Sequence, residues 1–223
     1  MSHTTFTDLD HYVAHPRIGG LAMSPDGSRL VTTVQTLNSK KNGYVTAIWE
    51  VDPTGQRPAR RLTRSATGEA GPVFAANGDL YFTSARPDDA EGEDDNALWC
   101  LPAAGGEAAV VNRRASGVSS VVTAAAADRV AVTAPLLPGA DDEDSQEKLH
   151  KVRKDSSVKA ILHTGYPVRF WDHDLGPARP SLFVLGEEQS EEDQRSDDDA
   201  AADDPATTNA PAPSTVEPGR RSL

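Results

Sequence analysis

Cysteine is nearly missing from this 223-residue chain, in which Cys100 stands alone. An internal disulfide is therefore impossible, and multi-cysteine zinc ribbons are excluded with it. Cys100 lies within the apolar run Leu98-Trp99-Cys100-Leu101 and reads as a small buried hydrophobe rather than a reactive thiol. Aromatic residues are also sparse, at 5%. Leu, Ile, Val and Phe together number 42, about 19% of the chain, at the edge of the range expected for disorder. No run approaches the roughly 18 apolar residues of a membrane-spanning helix, so no membrane partner is expected. The first eight residues, Met1 to Asp8, carry neither a basic nor an apolar segment, which gives no secretory signal and makes the cytoplasm the expected location. Positive charge is in deficit: 22 Lys and Arg against 34 Asp and Glu leave a net charge of −12. Such a chain is poorly suited to a phosphate backbone, and nucleic acid is not an expected partner.

These deficits are unevenly spread. Residues 186–223 contain only two of the 42 large apolar residues, Val216 and Leu223, while 187–204 are strongly acidic and 205–218 are Pro/Ala/Thr/Ser-rich. A segment of this kind cannot bury enough surface to offset its ordering entropy. Residues 187–223 are therefore expected to form a disordered tail or an insertion between folded units, and residues 8–186 to carry the core.

What is present in that body is a repeat. Leu21-Ala-Met-Ser-Pro-Asp-Gly-Ser-Arg-Leu-Val-Thr-Thr-Val34 matches Val73-Phe-Ala-Ala-Asn-Gly-Asp-Leu-Tyr-Phe-Thr-Ser84, and Val121 to Ala134 is a weaker third copy without the glycine. Leu30, Leu80 and Val130 superpose at a spacing of 50 residues. Asp26-Gly27 and Asn77-Gly78 mark hairpin turns, where glycine accepts a positive φ without steric cost. Further strand-like runs follow in each unit: Tyr44–Asp52 and Ala59–Thr63, Ala97–Leu101 and Ala108–Val111, Val158–Leu162 and Ser181–Leu185. Four short strands per 50 residues predict an all-β fold, a partial β-propeller of about three four-stranded antiparallel blades over residues 16–65, 70–112 and 117–186. The expected core comprises Leu30, Val34, Ile48, Trp49, Leu80, Phe82, Leu98, Trp99, Val130, Val132, Ile161, Leu182 and Phe183, with both tryptophans packing between neighbouring blades.

Chemistry is harder to find. The acidic runs 88–95 and 141–147 read as solvated loops, because the second lacks the glycine and the bidentate glutamate of an EF-hand. Residues 145–156 have weak helical character, worth one or two turns. There is no Gly-x-Ser-x-Gly elbow and no glycine-rich phosphate loop. One polar constellation stands out: His163, Trp171, Asp172, His173 and Asp174. A metal reading would take His163, Asp172, His173 and Asp174 as ligands. A regular strand would point Asp172 and His173 to opposite faces, and pairing with Arg169 or Arg179 at a blade edge explains these residues as well. No catalytic, cofactor-binding or metal-binding residue is assigned.

Several blocks nevertheless resemble a known family. Pro16-Arg-Ile-Gly-Gly-Leu-Ala-Met-Ser-Pro-Asp-Gly27, Ile48-Trp-Glu-Val-Asp52, Leu62-Thr-Arg-Ser-Ala-Thr-Gly-Glu69 and Tyr166-Pro-Val-Arg-Phe-Trp-Asp-His-Asp-Leu-Gly-Pro177 look like the N-terminal propeller of prolyl-oligopeptidase-family serine peptidases, in the acylaminoacyl-peptidase-like branch. The resemblance covers residues 8–185. It implies a propeller of seven or eight blades followed by an α/β-hydrolase domain that carries the catalytic triad. This chain ends after about three blades, so no catalytic residue can be carried over, and it reads as a propeller fragment. The resemblance further implies that the missing blades and the hydrolase domain are partners, in the same polypeptide or as a separate chain. Peptides would be what the whole protein admits, with the propeller gating and filtering their access. The alternative is a free-standing propeller-like module for protein interaction. Three blades leave an uncovered sheet face at each end, so self-association of the isolated chain is expected.

Overall fold

A computed structural model describes residues 8–87, 95–157 and 177–186. The body is all-β, with three antiparallel sheets and two helices. Helix α1 (Leu9–Ala14) is followed by sheet 1, strands β1 (Arg17–Met23), β2 (Leu30–Leu37), β3 (Tyr44–Val51) and β4 (Arg60–Arg61). Sheet 2 holds β5 (Ala70–Phe74), β6 (Leu80–Ser84), β7 (Ala97–Leu101) and β8 (Ala109–Asn112). Sheet 3 holds β9 (Ser120–Thr123), β10 (Val130–Leu136) and β11 (Arg179–Leu185), with α2 (Glu143–Ser156) inserted between β10 and β11. Every sheet is a meander in which each strand pairs with the next. First strands neighbour one another, β1 against β5 and β5 against β9, as in consecutive blades of a partial propeller. No helix among the described residues is long and apolar enough to cross a membrane.

The turns explain the repeat. Gly27 donates its N–H to Ser24 O with φ at +71°, and Ser24 N bonds Arg29 O across the hairpin. The second copy does the same with Gly78 to Ala75 O at φ +87°, closed by Ala75 N to Asp79 O. Glycine thus follows the turn in the left-handed region, and the loops are four and three residues long rather than the two-residue connection that Asx-Gly suggests. The third copy keeps the four-residue form, Ala124 N to Arg129 O, without a glycine. A second shared device is a bulge in the first strand at a glycine of positive φ, Gly20 in β1 and Gly71 in β5. The Thr32 hydroxyl donates to Gly19 O and Gly20 O, and the Thr83 hydroxyl to Ala70 O, tying each bulge to the next strand.

Two cores hold the sheets together. Val31 and Ile48 of sheet 1 pack with Phe74, Leu80, Phe82, Ala97 and Trp99 of sheet 2. On the other side of sheet 2, Leu98 packs with Val118, Val121, Val130 and Val132, flanked by Tyr81, Phe183 and Leu185. The Trp99 indole N–H donates to Ser84 O, so its one polar atom is satisfied inside the first core.

Five expectations change. Leu182 is not a core residue: it is 65% exposed, because β11 turns Phe183 and Leu185 inward and Leu182 outward. Trp49 is only half-buried, since it shares a face with Thr32 and Arg61 and opposes the face of Val31 and Ile48 that meets sheet 2. Leu30 and Val34 are likewise half-buried on that outer face, and the buried apolar residue of the strand is Val31. Strand β11 pairs directly with β10 and takes the third place in its sheet, not the fourth; the runs 158–162 and 187–223, with Ile161, lie outside the described residues. The acidic run at 141–147 is not a loop, and α2 is longer than two turns: Asp142 caps a 14-residue helix that begins at Glu143.

Candidate functional site

The three sheets stack so that sheet 2 is covered on both faces and sheets 1 and 3 on one each. On the uncovered face of sheet 1, Ile18, Leu21 and Met23 are 78%, 71% and 65% exposed. Register places Val34, Thr32 and Leu30 beside them, and Trp49 beyond Thr32. The uncovered face of sheet 3 carries Leu182, Val184 and Val122, more than half exposed, with Ala131 paired between Val122 and Val184. Singly exposed apolar side chains are ordinary, but a contiguous apolar sheet face marks a surface made to be covered. Strand physics produces it here: β1, β2, β9 and β11 carry apolar residues on both sides of the pleat, and one neighbouring sheet covers only one side.

Helix α2 is held by its buried polar side. The Gln146 side chain, 2% exposed, accepts from Leu137 N at 2.8 Å and donates to Ser116 Oγ and Pro135 O. Glu143 accepts from Ala115 N and pairs with Arg114, whose guanidinium lies over the Phe183 ring with 3.4 Å to its centroid. A cavity of about 490 Å3 beside the helix is lined by Arg113, Arg114, His150, Lys151 and Lys154, and also by the carboxylates of Asp95, Glu147 and Asp155. Its lining mixes both signs of charge.

Nucleophiles are quiet among the described residues. Burial pushes the Cys100 thiol up from its ordinary value, and the half-buried neighbour Tyr81 is raised to about 12, first by burial and then by Cys100. Serine hydroxyls are spent locally, Ser24 on Asp26, Ser84 on Gly68 O and Ser145 on Asp142 O. No three His, Cys, Asp or Glu side chains converge on a metal-sized site among the described residues. His163, Arg169, Trp171, Asp172, His173 and Asp174 lie outside the described residues. Arg179 is described and opens β11, paired in register with Leu136.

Sequence reasoning missed three arrangements. Glu69 is 1% exposed, with one oxygen accepting from Ser65 N and the other without a hydrogen-bond partner. Gln146 anchors a helix that shows little apolar pattern. Arg29, just before β2, and Arg60 of β4 converge on Glu50 although the sequence separates them. Only Glu69 carried a local hint, since it lies inside the quoted Leu62–Glu69 block.

No family model matches this chain, and neither does any curated protein. Among solved structures it is similar to the AtxE2 isopeptidase, both unliganded and as a variant with Astexin3-dC4 bound, at 18% identity and TM-scores of 0.46 and 0.47. The alignments cover 78% of this chain and 29% of the isopeptidase, so the chain spans under a third of that protein's length. What the described geometry defines is a class of architecture: stacked antiparallel sheets of a partial propeller, open at both ends.

Proposed function

We propose that this chain is the non-catalytic, N-terminal portion of a serine-peptidase propeller of the prolyl-oligopeptidase family, acylaminoacyl-peptidase-like branch. Further blades would cover its two open faces, and the completed ring would filter peptides on their way to an α/β-hydrolase domain. The observation that carries this reading is the pair of uncovered apolar faces, Ile18, Leu21 and Met23 at one end and Leu182, Val184 and Val122 at the other. Propeller rings are typically built of about four to eight blades, and a stack of three leaves two faces that further sheets of the same kind would cover. The quoted sequence blocks add the family resemblance.

Sedimentation velocity at micromolar concentration tests the open faces. The chain should self-associate, and Leu21→Lys combined with Leu182→Lys should return it toward monomer with an unchanged far-UV spectrum. A cooperatively unfolding wild-type monomer would overturn the incomplete ring and favour a free-standing interaction module. Reading the coding DNA downstream tests the family: a following frame with more propeller strands and a Gly-x-Ser-x-Gly elbow is expected, and an unrelated gene would count against it.

A further inference from the structure

We propose that, when this chain is alone, a second copy of it covers the two open faces. The free face of sheet 1 in each copy docks on the free face of sheet 3 in the other. The contact is made twice and closes a two-chain ring of six sheets. This inference rests on the reading of the chain as an incomplete ring, and goes beyond it by naming an occupant, a stoichiometry and a head-to-tail geometry.

Strand register makes the two contacts inside the chain copies of one another. Thr33, Thr83 and Thr133 stand 50 residues apart, and each pairs across its sheet with a large aliphatic residue, Ile48, Leu98 and Leu182. Ile48 packs in the core shared by sheets 1 and 2, and Leu98 in the core shared by sheets 2 and 3; both are fully buried. Leu182 holds the same place in sheet 3 and is 65% exposed, because no further sheet follows among the described residues. The opposite faces repeat as well. Trp49 pairs with Thr32, and Trp99 with Phe82, again 50 residues on. Trp99 is buried against sheet 1, whereas Trp49 looks away from sheet 2 and is half-buried. Sheet 3 therefore ends in the kind of face that sheets 1 and 2 each present to their follower. Sheet 1 begins with the kind of face that sheet 2 presents to its predecessor. Together they are the two halves of a third contact of the same kind.

The way the sheets fan favours closure over an endless stack. First strands adjoin, β1 with β5 and β5 with β9, while β4 and β8 make no comparable contact, so the sheets spread as wedges from their first strands. A head-to-tail contact builds a ring when its rotation closes and a filament when it does not. Propeller rings hold about four to eight blades. One copy supplies three sheets and three copies would supply nine, so two copies, with six, fall in that range. Charge does not oppose the contact, although the chain carries a net −12. Glu50, the one acidic residue in the strands of sheets 1 and 3, shares the inner face with Val31, which leaves both free faces without a carboxylate among their described strand residues.

Sedimentation velocity on two single variants of the whole chain, separate and mixed, is the test. Wild type should settle as a two-chain species that grows no further as concentration rises. Leu21→Lys blocks the sheet 1 face and Leu182→Lys the sheet 3 face; both residues are exposed, so each variant should keep the wild-type far-UV spectrum. Every head-to-tail contact needs one face of each kind, so each variant alone should be monomeric. An equimolar mixture at high micromolar concentration should recover a two-chain species, because the intact sheet 3 face of one variant meets the intact sheet 1 face of the other. Variants that stay monomeric when mixed would overturn the two-chain ring. A two-chain species in either variant alone would show like faces pairing and would overturn it too, as would wild-type oligomers that keep growing with concentration; these outcomes leave the incomplete propeller standing. A wild-type monomer would overturn the two-chain ring and the incomplete propeller together.

Discussion

Asp26 shows how much local chemistry a single turn residue carries. Its carboxylate accepts from the Ser24 hydroxyl at 2.5 Å, the Ser28 hydroxyl at 2.7 Å and Ser28 N at 3.0 Å. Those bonds, the Ser24 hydroxyl first, hold its pKa at about 2 against an ordinary 3.8. A carboxyl depressed in the folded state stabilises it above the unfolded value and loses that contribution as pH falls through the folded one. The denaturant midpoint should therefore decline between pH 4 and pH 2 (about that window), and Asp26→Asn should flatten the decline. In the core the same logic of lost contacts applies to volume. Phe82 is fully buried between sheets 1 and 2, so Phe82→Ala should cost about 3–5 kcal/mol in urea unfolding. Leu182 is 65% exposed in the single chain, and at a concentration dilute enough for the monomer Leu182→Ala should stay within about 0.5 kcal/mol. Similar losses at both positions would mean that the face bearing Leu182 is already covered.

At the scale of elements, α2 depends on one polar side chain. Gln146→Ala removes the acceptor of Leu137 N and the donor to Ser116 and Pro135, leaving buried backbone groups unpaired. The expected cost is about 1–3 kcal/mol, concentrated in the helix. Amide exchange should show Glu143–Ser156 losing protection in the variant while β6 and β7 keep theirs. Equal loss across the sheets would instead make α2 part of the cooperative core. The strands behave differently. Their turns are closed by backbone bonds within six residues, as from Ser24 to Arg29 and from Ala124 to Arg129, so each hairpin was legible in its own segment. Helix α2 was only half legible: the capping pair Asp142 and Ser145 is local, but Ser116 and Pro135 are 30 and 11 residues from Gln146.

For the molecule as a whole, catalysis and completeness are separate questions. Nucleophilic catalysis needs an activated hydroxyl or thiol beside a base and an oxyanion hole. Burial pushes the Cys100 thiol up from its ordinary value, and the serine hydroxyls named above are bonded to turn and strand partners. The purified chain should take up no serine-directed fluorophosphonate; stoichiometric labelling would place an active site within it. Completeness turns on the faces. Sheet 2 is finished, with a core on each side, whereas sheets 1 and 3 each present an apolar face to solvent. This imbalance couples the stability of the chain to whatever covers those faces, so apparent unfolding midpoints should depend on protein concentration.

The amino-acid sequence by itself determined the period of 50 residues, the hairpins at Asp26-Gly27 and Asn77-Gly78, and an all-β body of three sheets. Those features rest on alternation with period two and on turn residues, and both act over a few neighbours. Only the tertiary structure decided which side of each strand became core. Val31 and Ile48 were chosen over Leu30 and Trp49, and Phe183 over Leu182. In every case both sides of the pleat are apolar, so local pattern could not choose, and the presence of a neighbouring sheet did. The tertiary structure also set Arg29 over the Phe74 ring, 5.2 Å from its centroid. Residues so far apart in the chain meet only when two finished sheets pack, because the packing of sheet 1 on sheet 2 fixes which strand ends meet.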